Sequence, residues 1–147
     1  MDDVKGTVTP PLNTLSSLIS LQGKISAIHM SSFFHLFPED CQLQLAKIVS
    51  SLLSPEKGSV IFGQHVGMPA KGLRDEVMYN GLNMFCHSPE SWIQMWVDDV
   101  FGGKDKDNND RVKVETKLIS SEDKSGRLLF GRRCLALEVV CDKALNC

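Results

Sequence analysis

The stretch KISAIHMSSFFHLFPEDCQLQLAKIVSSLLSPEKGSVIFGQHVG, residues 24–67, is the part of the sequence that predicts the fold. Residues 24–30 are rich in Ile and Ala, which favours a buried strand. Pro38 suits the first position of a helix, and the acidic Glu39 that follows it opposes the helix macrodipole. A turn containing Pro and Gly ends the helix, and residues 59–67 form a second apolar run. Strand, helix and strand in this order predict two parallel strands joined by a crossover helix.

Four further segments complete the predicted architecture. Ser88 is a good helix N-cap and Pro89 takes the first helical position, so a second helix is expected there. Residues 112–119 alternate apolar and charged side chains, which predicts a half-exposed strand, and residues 127–140 are its expected antiparallel partner. The polar, Gly-rich residues 68–83 predict a long connection with a helical turn. The predicted fold class is α/β, with parallel strands and helices followed by an antiparallel hairpin.

The organisation expected from these patterns is a single, partial domain. Two parallel strands and a hairpin make a small sheet, and the first strand has no obvious neighbour on its other side. The predicted segments are a loop or short helix (1–22), a strand–helix–strand unit (23–67), a connection and helix (68–101) and a terminal hairpin (112–140). The apolar stripe predicted on the first helix is Leu45, Ile48, Val49, Leu52 and Leu53.

Composition narrows the classes of function. The 147 residues include 16 basic and 18 acidic side chains, for a net charge of −2, so no basic excess indicates binding to nucleic acid or to an anionic membrane. No apolar run approaches the roughly 18 residues of a membrane span. The N-terminus MDDVK is acidic and is not typical of a secretory signal. Five cysteines without a C-x-x-C pair indicate free thiols in the cytoplasm, and no spacing is typical of a metal site.

Several motifs resemble a known family. FHLFPEDCQLQLAKIVSSLLSPEKGSVIFGQHVG, residues 34–67, is similar to the segment spanning strands four and five of class I, Rossmann-like S-adenosylmethionine-dependent methyltransferases. More narrowly, LLSPEKGSVIFGQHVG, KGLR at 71–74 and FCHSPESW at 85–92 resemble fungal methyltransferases of terpenoid and meroterpenoid pathways. The resemblance runs from about Leu12 to Leu118 and identifies the chain as similar to the C-terminal part of such an enzyme.

The resemblance implies transfer of a methyl group from S-adenosylmethionine to an oxygen of a small terpenoid-like metabolite. It also implies that Met30, Ser31, Ser32 and Phe33 lie beside the cofactor. The family's Gly-rich loop and the acidic residue that binds the ribose are not found in this sequence, and the C-terminal tail does not resemble the family's final strand. A truncated, non-catalytic remnant or interaction fragment, which binds no cofactor alone and associates through an uncovered strand edge, is therefore the alternative.

His35 is the catalytic candidate that the resemblance implies. A histidine with an ordinary pKa of ~6.5 can take a proton from an alcohol or phenol acceptor, whereas a carboxylate acceptor needs no base and His35 would only position it. The other alternative is a structural His35 packed between aromatic neighbours. Substrate-binding roles are predicted for Phe34, His65 and Trp92, with the alternative that Trp92 belongs to the core. His29, inside the first strand, is expected to be a core histidine.

Overall fold

The computed structural model describes residues 11–77, 83–103, 111–122 and 128–141, with side chains for 11–74, 83–103 and 111–119. The part of the predicted loop or short helix that covers residues 1–10 lies outside these described residues. The strands are β1 (Ala27–His29), β2 (Val60–Gly67), β3 (Gly72–Val77), β4 (Asn83–Cys86), β5 (Val112–Glu122) and β6 (Leu128–Cys141). The helices are α1 (Glu39–Leu52), α2 (Pro89–Gln94), the π-helix Met95–Val100 and three short 3₁₀ helices, Leu12–Thr14, Leu18–Leu21 and Phe34–Leu36.

The main sheet has the strand order β1-β2-β6-β5. Strands β1 and β2 are parallel, with Ile28 opposite Ile61, whereas β6 is antiparallel to both β2 and β5. The predicted α/β fold, with a parallel pair and an antiparallel pair at its C-terminal end, is confirmed. The parallel pair forms because the chain between β1 and β2 folds back as α1, which brings both strands into the same direction.

Helix α1 packs on the core through most of the predicted stripe, with Ile48 as the exception. Its buried residues are Gln42, Ala46, Val49 and Leu52. Ile48 was expected in the stripe, but 60% of it is exposed. Ile48 lies about 100° round the helix from Val49, so a helix that presents Val49 and Ala46 to the core turns Ile48 toward solvent.

The centre of the core is aromatic. Trp92, Trp96 and Phe34 are buried with Ala46 of α1, Ile61 of β2 and Val112 of β5. Residues 112–118 of β5 alternate as predicted, with Val112 buried and Lys113, Glu115 and Lys117 exposed. One face of β5 therefore lies on the helices and the other faces water.

The described part of the connection at 68–83 contains a strand that was not predicted. This strand is β3, which pairs antiparallel with β4, Gly72 facing Cys86 and Leu73 facing Phe85. The register shifts between Leu73 and Val77, and such an irregularity interrupts the alternation by which a strand is recognised from sequence. The residues between the two strands, 78–82, lie outside the described part of the chain.

Strand β1 lies at the edge of the described sheet. It was expected to be buried, but Ala27 and His29 are exposed and Ile28 is half-buried. Within the described residues β2 is its neighbouring strand, and the opposite edge of β1 has none. No helix in the described part of the chain has the length and apolar character of a membrane span.

Candidate functional site

The candidate site lies where β1 and β2 both end. Because the two strands are parallel, their carboxyl ends meet at one edge of the sheet, where α/β proteins place ligands. Residues 30–35, named the β1 turn here, follow β1 at that edge. The N–H of Met30 donates to the carbonyl oxygen of Phe62 (2.9 Å), and the N–H of Ser32 donates to that of Gln64 (2.8 Å). The β1 turn thus continues the pairing with β2 beyond the end of β1.

Gly63 allows the β1 turn to lie this close to β2. A Cβ atom at position 63 would stand 1.7 Å from the carbonyl oxygen of Met30, which is part of the backbone and cannot rotate away. The φ of Gly63 is +155°, a conformation that residues with side chains rarely adopt. Glycine is therefore required at this position by both space and backbone conformation.

The structure brings His35 and His65 together. Both are buried, and their ring centroids are 6.3 Å apart. The N–H of Val66 donates to Nδ1 of His35 (3.3 Å). Since Nδ1 accepts a hydrogen bond, the neutral ring of His35 carries its proton on Nε2.

His65 accepts two backbone hydrogen bonds on one nitrogen. The N–H groups of Phe33 (3.1 Å) and Phe34 (3.3 Å) both donate to Nδ1 of His65. Burial, followed by the nearby His35 and His87, lowers the pKa of His65 to about 3. The ring is therefore neutral at physiological pH and protonated on Nε2, which is buried without a partner among the described residues.

Trp92 lies against these residues as part of the core. Its ring is 5.0 Å from that of Phe34 and 5.5 Å from that of His65, and the residue is only 1% exposed. This burial agrees with the core interpretation of Trp92. The substrate-binding roles of Phe34, His65 and Trp92, and the role of His35, stay predictions.

The four predicted cofactor neighbours form the outer part of the β1 turn. Ser31, Ser32 and Phe33 are exposed and Met30 is half-buried. Ser32 has a φ of 52°, in the left-handed region that non-glycine residues rarely occupy. The N–H of Gln64 donates to Oγ of Ser31 (3.3 Å). The hydroxyl of Ser31 is thus held by the protein, and its contact with a cofactor stays a prediction.

His29 does not lie in the core as expected. It is exposed, its ring packs 5.1 Å from that of Phe62, and its Nε2 lies 3.0 Å from Oγ of Ser31. The expectation was wrong because β1 is an edge strand: side chains on the face of β1 turned away from α1 have no covering element within the described residues.

Gln42 is a buried polar residue that the sequence pattern did not indicate. Its side-chain amide donates to the carbonyl oxygens of Phe37 (2.8 Å) and Phe85 (3.1 Å), and it is 1% exposed. It therefore ties the segment just before α1 to β4. Its position one turn before Ala46, on the same face of α1, is the signal that could have identified it.

His87 leads into α2. Its Nδ1 lies 2.9 Å from Oγ of Ser91, which itself accepts the N–H of Ser88 as part of a capping box. Burial is the main cause that lowers its pKa to about 4, while Glu39 opposes this shift and Lys71 adds to it. His87 also lines a cleft of about 540 Å³ between α1 and α2, together with acidic residues and Lys71, but no predicted site residue lines that cleft.

A metal centre is not formed by the described residues. Within 11–77, 83–103, 111–122 and 128–141, no group of three His, Cys, Asp or Glu side chains is arranged to hold a metal ion.

Comparison with known proteins finds methyltransferases. The O-methyltransferase phiE of a fungal species is 38% identical over 79 residues, which are 54% of this chain and 26% of phiE. The Asnovolin E/Chermesin D methyltransferase nvfJ of Aspergillus novofumigatus is 40% identical over 82 residues, 55% of this chain and 29% of nvfJ. The chain thus spans between a quarter and a third of the length of these relatives. No protein-family model matches the chain.

A solved structure supports the fold. The chain matches a SAM-dependent methyltransferase from Methanosarcina mazei with a TM-score of 0.53 and 11% identity, over 91% of this chain and 65% of that one. The resemblance to part of a class I methyltransferase, found in the sequence, is confirmed by these comparisons.

Proposed function

We propose that this chain forms the part of an S-adenosylmethionine-dependent methyltransferase that holds the methyl acceptor. The enzyme methylates an oxygen of a small terpenoid-like metabolite in the cytoplasm. The observation that carries the proposal is the β1 turn, which places His35 and His65 side by side at the carboxyl edge of two parallel strands. The names of the relatives and the likeness in fold support it.

The β1 turn suits contact with the cofactor. Ser31 to Phe33 are exposed, and Gly63 lets their backbone follow the end of β2 closely. Phe33 presents an exposed aromatic ring, on which the adenine of the cofactor can stack. When bound, S-adenosylmethionine supplies a methyl group already activated on a sulfonium, so the protein's task is alignment of the acceptor.

The acceptor that fits this site best is a carboxylate. A hydroxyl acceptor must lose a proton, but Nδ1 of His35 and Nδ1 of His65 already accept backbone hydrogen bonds, and their other nitrogens carry the ring protons. Neither neutral ring has a nitrogen ready to take a proton. A carboxylate is already ionised at neutral pH, so its oxygen receives the methyl group with no proton to remove. We therefore propose that His35 positions the acceptor and is not a base.

A hybrid enzyme tests the reaction and the acceptor together. The part of this chain that matches phiE would replace the corresponding segment of phiE. Methyl transfer from labelled S-adenosylmethionine would then be measured with terpenoid carboxylic acids and with the corresponding alcohols. We expect methyl esters from the acids. Methylation of the alcohols alone would contradict a carboxylate acceptor, and a folded hybrid without any methyl transfer would contradict the proposed function.

His35→Gln separates a positioning role from a base. Gln can place a side-chain N–H near the position of Nε2, the nitrogen of His35 that is left to contact the acceptor, but an amide cannot serve as a base. If His35 positions the acceptor, His35→Gln should retain turnover within about ten-fold, whereas loss of a general base costs ~10²-fold or more. His35→Ala, which removes the donating group as well, is the matched comparison.

A second candidate function is an interaction fragment that binds no cofactor alone. The observation that favours it is the exposed edge of β1, next to the 41% exposed Phe62 on the same side of the sheet. Unpaired strand edges associate readily with other chains. Sedimentation of the isolated chain distinguishes the candidates: concentration-dependent self-association without affinity for S-adenosylhomocysteine favours the fragment, and a monomer that binds it excludes this candidate.

A further inference from the structure

The β1 turn is held by consecutive residues of β2. The carbonyl oxygen of Gln64 accepts the N–H of Ser32, and the N–H of Gln64 donates to Oγ of Ser31. The next residue, His65, accepts the N–H groups of Phe33 and Phe34 on Nδ1. The N–H of Val66 then donates to His35. Each step along β2 thus fixes the next step of the turn.

His65 differs from its neighbours because it supplies a side chain. The short 3₁₀ helix Phe34–Leu36 begins directly after Ser32 and Phe33, and Phe33 as its N-cap residue makes no side-chain cap hydrogen bond. The ring of His65 provides that cap from another strand, and it does so twice, on two successive N–H groups that a helix N-terminus would otherwise leave unpaired. Because His65 is 3% exposed, water does not take its place readily.

The turn that His65 caps contains a strained residue. Ser32 has a φ of 52°, and such conformations persist only where the surrounding contacts determine them. The hydrogen bonds to Gln64 on one side of Ser32 and to His65 on the other are those contacts. Without the cap, the backbone N–H groups of Phe33 and Phe34 would have no acceptor to hold them. The backbone of Ser32 could then relax to the right-handed or extended region.

We infer that His65 is a positioning residue, which caps the β1 turn through Nδ1 and thereby sets the backbone of Met30 to Phe33 without touching the acceptor itself. The purpose of this placement, to present the turn to a cofactor, rests on the proposed function. The cap itself does not, and it can be tested independently.

The test is amide hydrogen exchange, measured by NMR on the ¹⁵N-labelled 147-residue chain. His65→Leu removes the accepting nitrogen, whereas His65→Asn keeps an accepting oxygen, Oδ1, at the δ position that Nδ1 occupies in histidine. We expect exchange at the amides of Phe33 and Phe34 to become about ten-fold faster or more in His65→Leu and to stay within about three-fold of the natural chain in His65→Asn. The backbone N–H of Gln42, which donates to the carbonyl oxygen of Pro38 just before α1, is the internal control for a general loss of stability.

Rescue by asparagine distinguishes a cap from mere packing. Equal acceleration in both variants, or none in His65→Leu, would overturn the inference. If His65→Leu does not fold, slow exchange at both amides in His65→Asn still supports the cap and fast exchange overturns it. Affinity of the phiE hybrid for S-adenosylhomocysteine gives the functional arm: we expect it to fall in His65→Leu and to be retained in His65→Asn. A hybrid that binds no S-adenosylhomocysteine would count against the proposed function, while the exchange result would still decide the role of His65.

Discussion

At the scale of single residues, the close approach of the carbonyl oxygen of Met30 determines what can stand at position 63. Gly63→Ala would place a methyl group against a backbone atom, so β2 and the β1 turn would have to separate. We expect a loss of about 2–4 kcal/mol in the free energy of unfolding, in the range of substitutions that disturb a fixed backbone. Urea denaturation measures this loss.

Gly72→Ala is the matched control, because nothing lies within 4 Å of the Cβ that would be added there. We expect Gly72→Ala to change the free energy of unfolding by less than about 0.5 kcal/mol. Equal effects of the two substitutions would show that the approach of Met30 to Gly63 does not matter for stability.

The buried histidines make stability depend on pH. The pKa values of His65 and His87, about 3 and about 4, lie below the ordinary 6.5, so the unfolded chain binds protons that the folded chain does not. Their contribution is therefore complete above pH 6.5 and is lost as the pH falls below it. Between pH 6 and 5 the free energy of unfolding should decrease by up to about 1.4 kcal/mol per pH unit for each histidine. The groups facing them are His35, Glu39 and Lys71.

Urea denaturation at pH 7, 6 and 5 measures this dependence. His87→Asn should reduce the slope, because it removes one of the two buried groups with a lowered pKa. A free energy of unfolding that stays constant from pH 7 to 5 would show that these histidines are not buried as described.

At the scale of the elements, Gln42 connects α1, the segment just before it and β4. Gln42→Met keeps a long side chain but leaves the carbonyl oxygens of Phe37 and Phe85 without their donor. We expect a loss of about 2–3 kcal/mol in the free energy of unfolding, because buried carbonyls lose their hydrogen bonds. Gln44→Met, on the exposed face of the same helix, should have little effect. Similar values for the two variants in thermal or urea denaturation would contradict this role of Gln42.

The elements also show how far the sequence could predict this structure. The parallel pair and α1 followed from local patterns, since strand, helix and turn signals all lie within residues 24–67. The position of Gln42 on the same face as Ala46 could have indicated its burial, but its hydrogen bond to Phe85 could not be predicted from local patterns, because Phe85 lies far along the chain. β3 was not predicted because its register shift interrupts the alternation of side chains. The sequence predicted His35 and His65 as site residues, but only the structure assigns the backbone N–H groups that occupy their Nδ1 atoms.

At the scale of the whole molecule, the exposed strand faces at the two ends of the sheet differ in polarity. The exposed face of β5 carries the charged side chains of Lys113, Glu115 and Lys117, whereas the exposed face of β1 and β2 carries the rings of His29 and Phe62. Parallel strands are usually covered on both faces. The β1 side of the sheet is therefore where we expect further protein to pack, either the part of a methyltransferase that the comparison does not cover or another chain.

The most direct test of the central claim is binding of S-adenosylhomocysteine to the hybrid in which this chain replaces the matching segment of phiE, measured by isothermal titration calorimetry beside phiE itself. A circular dichroism spectrum like that of phiE would establish that the hybrid is folded. We predict one bound S-adenosylhomocysteine per hybrid, with an affinity within about ten-fold of that of phiE, a difference of about 1.4 kcal/mol in binding free energy. A folded hybrid that binds none, beside a phiE that does, would contradict the claim that this chain forms one side of a methyltransferase site.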